Sequence, residues 1–175
     1  MAIKVYGLSK KKIERFACKI RGLFNLEDPD LKCNILRILE IDLPKIDPSF
    51  SIEIRDKDKM DDCMALYKVN SNKIVIENSV YDGAISGNGR DVFTLAHELG
   101  HYFLHPHEVI LARYESNENI KPYEDPEWQA STFASYFLLP RINLPKFNSI
   151  EDIALHYGTS KQAAKIAYKD VKKPN

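Results

Sequence analysis

Phe93-Thr94-Leu95-Ala96-His97-Glu98-Leu99-Gly100-His101 sets H-E-x-x-H inside a run of helical periodicity, and most of the chain's character follows from it. At 3.6 residues per turn, His97 and His101 lie one turn apart on a single helix face. Two neutral imidazoles at that spacing can reach one Zn²⁺, and Glu98 beside them is placed to take a proton from water. A metal, a nucleophile and a base encoded within five residues form the pattern of a zinc-dependent peptidase.

The flanking residues support the helix. Gly87-Asn88-Gly89-Arg90 reads as a turn, and Asp91 stands where an N-cap is expected. Val92, Leu95, Ala96, Leu99 and Phe103 then recur at helical spacing, and Pro106 closes the segment. Gly100 costs about 1 kcal/mol against Ala in a helix interior, so its presence predicts close approach by another element. The bland alternative is a core helix whose histidines are merely satisfied by hydrogen bonds. The well-formed helix and an available third ligand weigh against it.

Catalytic zinc usually takes three protein ligands. Asp125-Pro126 is a strong helix start, and the helix it opens runs to Leu139 before Pro140. Ala130, Phe133, Ala134, Phe137 and Leu138 form its inward face. Glu127, three residues before Ala130, is expected on that apolar face, where a carboxylate needs a partner or a metal. It is therefore the candidate third ligand, ahead of Glu118, Glu124 and Asp125. The alternative for Glu127 is a first-turn acid answering the helix dipole. His105, one turn past His101, drifts off the ligand face and is a candidate for supporting the ligands or the oxyanion. Tyr114, Tyr123 and Arg90 are further candidate oxyanion donors.

Residues 90–105 and 127–140 resemble the ImmA/IrrE group of metallopeptidases, whose H-E-x-x-H is gluzincin-like. The group's pattern is approximately R-x-x-F-T-x-A-H-E-x-G-H-x-x-L-H followed by E-x-x-A-N-x-F-A-x-x-L-L-M-P. Ser131 replaces the usual Asn, and Leu139-Pro140 follows without the usual Met. A weaker likeness continues to about Tyr168. The resemblance implies zinc ligands at His97, His101 and Glu127, with Glu98 as general base. It also implies a regulatory protein substrate, typically a helix-turn-helix repressor of a mobile element or stress response.

At 175 residues, one compact core is the default. Twenty-five basic and 25 acidic residues cancel, so no global field draws the chain to nucleic acid or membrane. No apolar run reaches the length of about 18 residues that a membrane helix needs, and Met1-Ala2-Ile3-Lys4 does not open a signal peptide. Cys18, Cys33 and Cys63 are odd in number and scattered, which suits reduced thiols in the cytoplasm.

The expected fold class is α+β, a mainly helical single domain over residues 1–175 with a small β-sheet packed beside the H-E-x-x-H helix. Residues 1–48 read as helical. Ser9 caps a helix with a stripe of Ile13, Phe16, Ala17, Ile20 and Phe24, and Asp28-Pro29 opens a second with Leu31, Ile35, Ile38 and Leu39 inward before Pro44 ends it. Lys10, Lys11, Lys12, Arg15, Lys19 and Arg21 are read as solvated charge on the first helix. Residues 49–145 hold the sheet, with strands at 51–55, 65–69 and 73–77, and the metal-binding helices. A sheet edge there can hold an extended substrate by backbone hydrogen bonds. Val109-Ile110-Leu111 is a candidate wall or lid of the cleft.

Residues 149–171 read as two helices joined by Tyr157-Gly158-Thr159, a helix-turn-helix-like pair within the same fold. Ile153, Ala154, Ala163, Ala164 and Ile166 are its packing positions, and packing is favoured over DNA contact. The functional expectation is a zinc endopeptidase that cleaves a repressor. Its rival is a non-catalytic, metal-stabilised module that sequesters a regulator.

Overall fold

The computed structural model describes residues 2–106, 112–114 and 120–172, with the backbone alone at 2, 3 and 112–114. In chain order the elements are β1 (Ala2–Lys4), α1 (Lys10–Leu23), α2 (Ile35–Arg37), a π turn (Ile38–Asp42) and α3 (Leu43–Ile46). Strands β2 (Ser51–Arg55), β3 (Ala65–Lys68) and β4 (Lys73–Glu77) follow. Then come α4 (Asn78–Ile85), α5 (Gly89–Leu104), β5 (Ala112–Tyr114), α6 (Pro126–Leu138), α7 (Ile150–Tyr157) and α8 (Lys161–Lys172). The result is the mainly helical α+β domain that the sequence predicts.

Helices α5 and α6 pack on each other, with α1 against α6. Their apolar stripes explain the contact: Leu95, Ala96 and Leu99 of α5 and Ala130, Phe133, Ala134, Phe137 and Leu138 of α6 are fully buried. A Cβ on Gly100 would come within 3.0 Å of the Ala130 carbonyl oxygen and 3.2 Å of the Phe133 ring, so the predicted close approach is real and its partner is α6. Phe16 of α1 meets Phe103 and Phe133 edge-on or tilted, which seals the third side.

The main sheet has the order β2-β4-β3, with β2 parallel and β3 antiparallel to β4. Central β4 buries Ile74, Val75 and Ile76 on both faces. Asn72, in the left-handed region at φ 46°, turns the chain between β3 and β4. Strand β3 is the edge next to α5. Tyr102 of α5 donates to Asp47 at 2.8 Å, and bonds from Tyr102, Ser49 and Asn72 hold that carboxyl down to about 2. Strands β1 and β5 form a separate antiparallel pair.

Several expectations are corrected. Helix α5 is capped by Asn88, which accepts from the Arg90 N–H, and not by Asp91. Asp91 lies in the first turn, buried against α4; a Cβ on Gly83 would collide with its carboxylate. Asp28-Pro29 opens no helix: Asp28 folds back to accept from Asp30 N–H, Leu31 is exposed, and the helix begins at Ile35 under an Asn34 cap. Pro44 does not end the helical run, which continues through it from the π turn at Ile38–Asp42, the wider turn lying where its missing N–H interrupts the regular ladder. Helix α4 had no cap signal and was not foreseen. On α8, Ile166 is 59% exposed, and the helix packs through Ala164 and Ala167 instead. Residues 109–111, the candidate lid, lie outside the described residues.

The largest surprise is Arg21, which is buried rather than solvated. Its guanidinium donates to the carbonyls of Leu26, Phe137, Asp28 and Leu31 at 2.8–3.2 Å, tying the turn after α1 to the end of α6. Arg21→Met would leave those carbonyls without their donor at a cost of about 3 kcal/mol. Urea denaturation should show that loss, whereas Lys19→Met on the exposed face should fall within about 0.5 kcal/mol of wild type.

Candidate metal centre and active site

Close packing of α5 against α6 brings three side chains to one point. His97 Nε2 lies 3.1 Å from Glu127 Oε2, His101 Nε2 lies 3.4 Å from Glu127 Oε1, and the two Nε2 atoms are 3.0 Å apart. Ligand atoms bonded at 2.0–2.1 Å in a tetrahedral zinc site stand about 3.3 Å from one another. The spacing therefore fits one small divalent cation, and the donor chemistry suits it. Asp125 accepts from the Glu127 N–H and Pro126 follows it, so the predicted cap fixes the start of α6 and with it Glu127. Glu127 does not sit on the buried stripe: its side chain is 69% exposed. The first turn of α6 overhangs an open cleft, and burial begins only at Gln129. The facing imidazoles of His101 and His97 hold its carboxyl well below the usual carboxylate range.

The outer ring nitrogens decide which tautomers the histidines adopt. Gln129, buried, donates its amide nitrogen to the carbonyls of Tyr6 and Tyr123, which turns its oxygen toward His105 Nε2 at 3.1 Å. Burial lowers the His105 pKa and keeps the ring neutral. With Nε2–H given to Gln129, His105 Nδ1 must accept, and its neighbour at 3.1 Å is His101 Nδ1. His101 is then protonated at Nδ1 and carries its lone pair on Nε2, toward Glu127. His97 Nδ1 meets Ser131 Oγ at 3.1 Å; when that hydroxyl accepts from Nδ1–H, Nε2 is left for the centre. Such outer partners fix ligand orientation and raise basicity. His105 thus stands between His101 and Gln129, within hydrogen-bond reach of both. Gln129 and the role of Ser131 were missed; an amide on a buried helix face was the available signal for the first.

Glu98 reaches from α5 toward the sheet edge. It is 6% exposed, and its Oε2 accepts from the Tyr67 N–H at 2.7 Å. Burial raises its carboxyl above the ordinary value, while His101, His97 and the Tyr67 N–H pull it down. A cation held by the histidines adds to that downward pull. The β3 register accounts for the Tyr67 bond. Glu77 N–H donates to Met64 O, so Met64, Leu66 and Lys68 face β4 while Ala65 and Tyr67 turn their backbone groups outward.

The remaining candidates do not converge on the triad. Tyr123 packs its ring on Gly7 under Lys121, and Arg90 lies two turns before His97 along the groove. The side chain of Tyr114 lies outside the described residues, as does Glu118.

Residues 86–169 match the peptidase M78 family model, described as the IrrE N-terminal-like domain. Among solved structures, a Mycobacterium tuberculosis transcriptional regulator shares the fold at a TM-score of 0.61 and 14% identity, over 93% of this chain and 57% of its own. The chain thus spans little more than half the length of that regulator. No curated protein matches.

The donor set makes a direct prediction. Glu127→Ala should abolish stoichiometric Zn²⁺ uptake, and His105→Phe should weaken it about 10–100-fold in competition with a chelator. Equal affinity in wild type and Glu127→Ala would remove Glu127 from the centre.

Proposed function

With residues 86–169 forming an IrrE N-terminal-like domain of the peptidase M78 family, we propose that the chain is a zinc-dependent endopeptidase acting on a regulatory protein. The observation that carries this reading is Glu98: a buried carboxylate, one residue from His97, oriented by the backbone of a sheet edge. His97, His101 and Glu127 would hold the zinc, which when bound supplies Lewis acidity for the scissile carbonyl and lowers the pKa of water. An extended peptide can lie along β3 on the outward N–H and carbonyl of Ala65 and the Tyr67 carbonyl, the Tyr67 N–H being held by Glu98. Glu98 takes a proton from the attacking water and delivers it to the amine nitrogen as the C–N bond breaks.

The resemblance to ImmA/IrrE peptidases supports a helix-turn-helix repressor of a mobile element or stress response as the substrate. It also supports a cytoplasmic setting in which cleavage inactivates that repressor. Among the described residues no helix is long and apolar enough to cross a membrane. Direct DNA binding through α7 and α8 has less support. The backbone of their turn is packed so tightly on the start of α5 that a Cβ on Gly89 would strike Thr159. The rival reading is a metal-stabilised module that sequesters a regulator, and a scaffold has no use for a buried base beside its metal.

Glu98→Gln separates the two. The variant should keep one Zn²⁺ per chain and lose at least about 100-fold in cleavage rate. Incubated with a lysate of the native cells, it should retain intact a partner that the wild type clips, read by mass spectrometry. A partner left intact by both proteins would favour the sequestering module.

A further inference from the structure

A cavity of about 540 Å³ opens beside the metal centre, between the N-terminal half of α5, the middle of α6 and α8. It adjoins the centre without including its residues: Ser131 lines it and meets His97 Nδ1 at 3.1 Å, and Thr94 lines it about one turn before His97 on α5. It also reaches Met64, which leads directly into the sheet edge at β3. Its walls are Phe93, Trp128, Ala163 and Ile166 in addition to Met64. Ile166, 59% exposed on a helix that otherwise turns lysines outward, has its place explained by this cavity.

The polar groups at the far end are largely engaged with one another. Asp170 accepts from Lys10 at 2.8 Å and Tyr136 at 3.1 Å. Arg141 donates to the Ser135 and Leu139 carbonyls and to Ser135 Oγ, and lies 4.3 Å over the Tyr136 ring. Only its Nε lacks a hydrogen bond, 3.7 Å from Asp170. Arg90, Thr94, Thr132, Ser160 and Gln162 line the rim as well, so the cavity offers an incoming group an apolar floor with a polar, partly cationic edge.

Resting on the peptidase reading above, we propose that this cavity is the specificity pocket, and that it takes a large apolar side chain flanking the scissile bond on the Met64 side. A peptide running along β3 past Glu98 alternates its side chains, and one of them is directed away from the sheet edge into this space. Burial of an aromatic or branched aliphatic group there would select the cleavage site.

Three hydroxamates test it on the full-length, zinc-loaded chain by calorimetry: acetohydroxamate, 3-phenylpropionohydroxamate and succinohydroxamate. The phenyl compound should bind about tenfold or more tighter than acetohydroxamate. Ile166→Asp, at an exposed position that folding tolerates, and Ala163→Trp, which fills the space, should each cut that preference below about twofold. Equal affinity of the phenyl and acetyl compounds for wild type overturns the pocket, as does a preference unmoved in both variants. Tighter binding of succinohydroxamate than of the phenyl compound overturns the apolar assignment in favour of a carboxylate on Arg90 or Arg141. If no hydroxamate binds and no zinc is retained, the metal centre has failed, and the pocket assignment falls with it.

Discussion

The backbone contact between Gly100 and Ala130 is the constraint on which the rest depends. With nothing but hydrogen on Gly100, α6 can lie close enough to α5 for a carboxylate on its first turn to reach imidazoles on the facing turn. A larger residue would hold the helices apart by a few tenths of an ångström at the point where the ligand atoms must stand about 3.3 Å from each other. The destabilising glycine is therefore a condition of the site, and the buried aromatic and aliphatic stripe beneath it supplies the packing that holds it.

Around that contact the polar groups are arranged in two tiers. The inner tier consists of three atoms aimed at one point. The outer tier, Ser131 on one side and His105 with Gln129 on the other, presents donors and acceptors in the order that leaves both Nε2 lone pairs inward. Gln129 is tied in turn to the backbone of Tyr6 and Tyr123, so residues far apart in sequence fix the tautomer of one imidazole. Glu98 belongs to neither tier and answers to the sheet, through Tyr67. Under the proposed peptidase reading, a base held by the strand that would present the substrate keeps proton acceptor and peptide in one frame.

Much of this was legible in the sequence, because it is written in local signals. The periodicity of α5 and α6, the Asp125-Pro126 start and the alternation of the strands each depend on residues within one or two turns. The failures share a cause: they depend on partners distant in sequence. Arg21 reads as surface charge until four carbonyls from two other segments surround it. Glu127 was expected to be buried because the stripe was extended by period alone, whereas the end of a helix can overhang a cleft. Asn88 and Asp91 are both sound caps, and only the packing of Asp91 on Gly83 decides between them. Helix α4 ends in the same contact and carries no cap of its own.

The central claim is that His97, His101 and Glu127 bind one zinc ion and leave a position open beside Glu98. Diffraction from zinc-loaded crystals on either side of the zinc absorption edge tests it most directly. The account predicts a single anomalous peak about 2.0–2.1 Å from both Nε2 atoms and a Glu127 oxygen, with no fourth protein ligand. A peak elsewhere, or one closed by a fourth protein side chain, would contradict it.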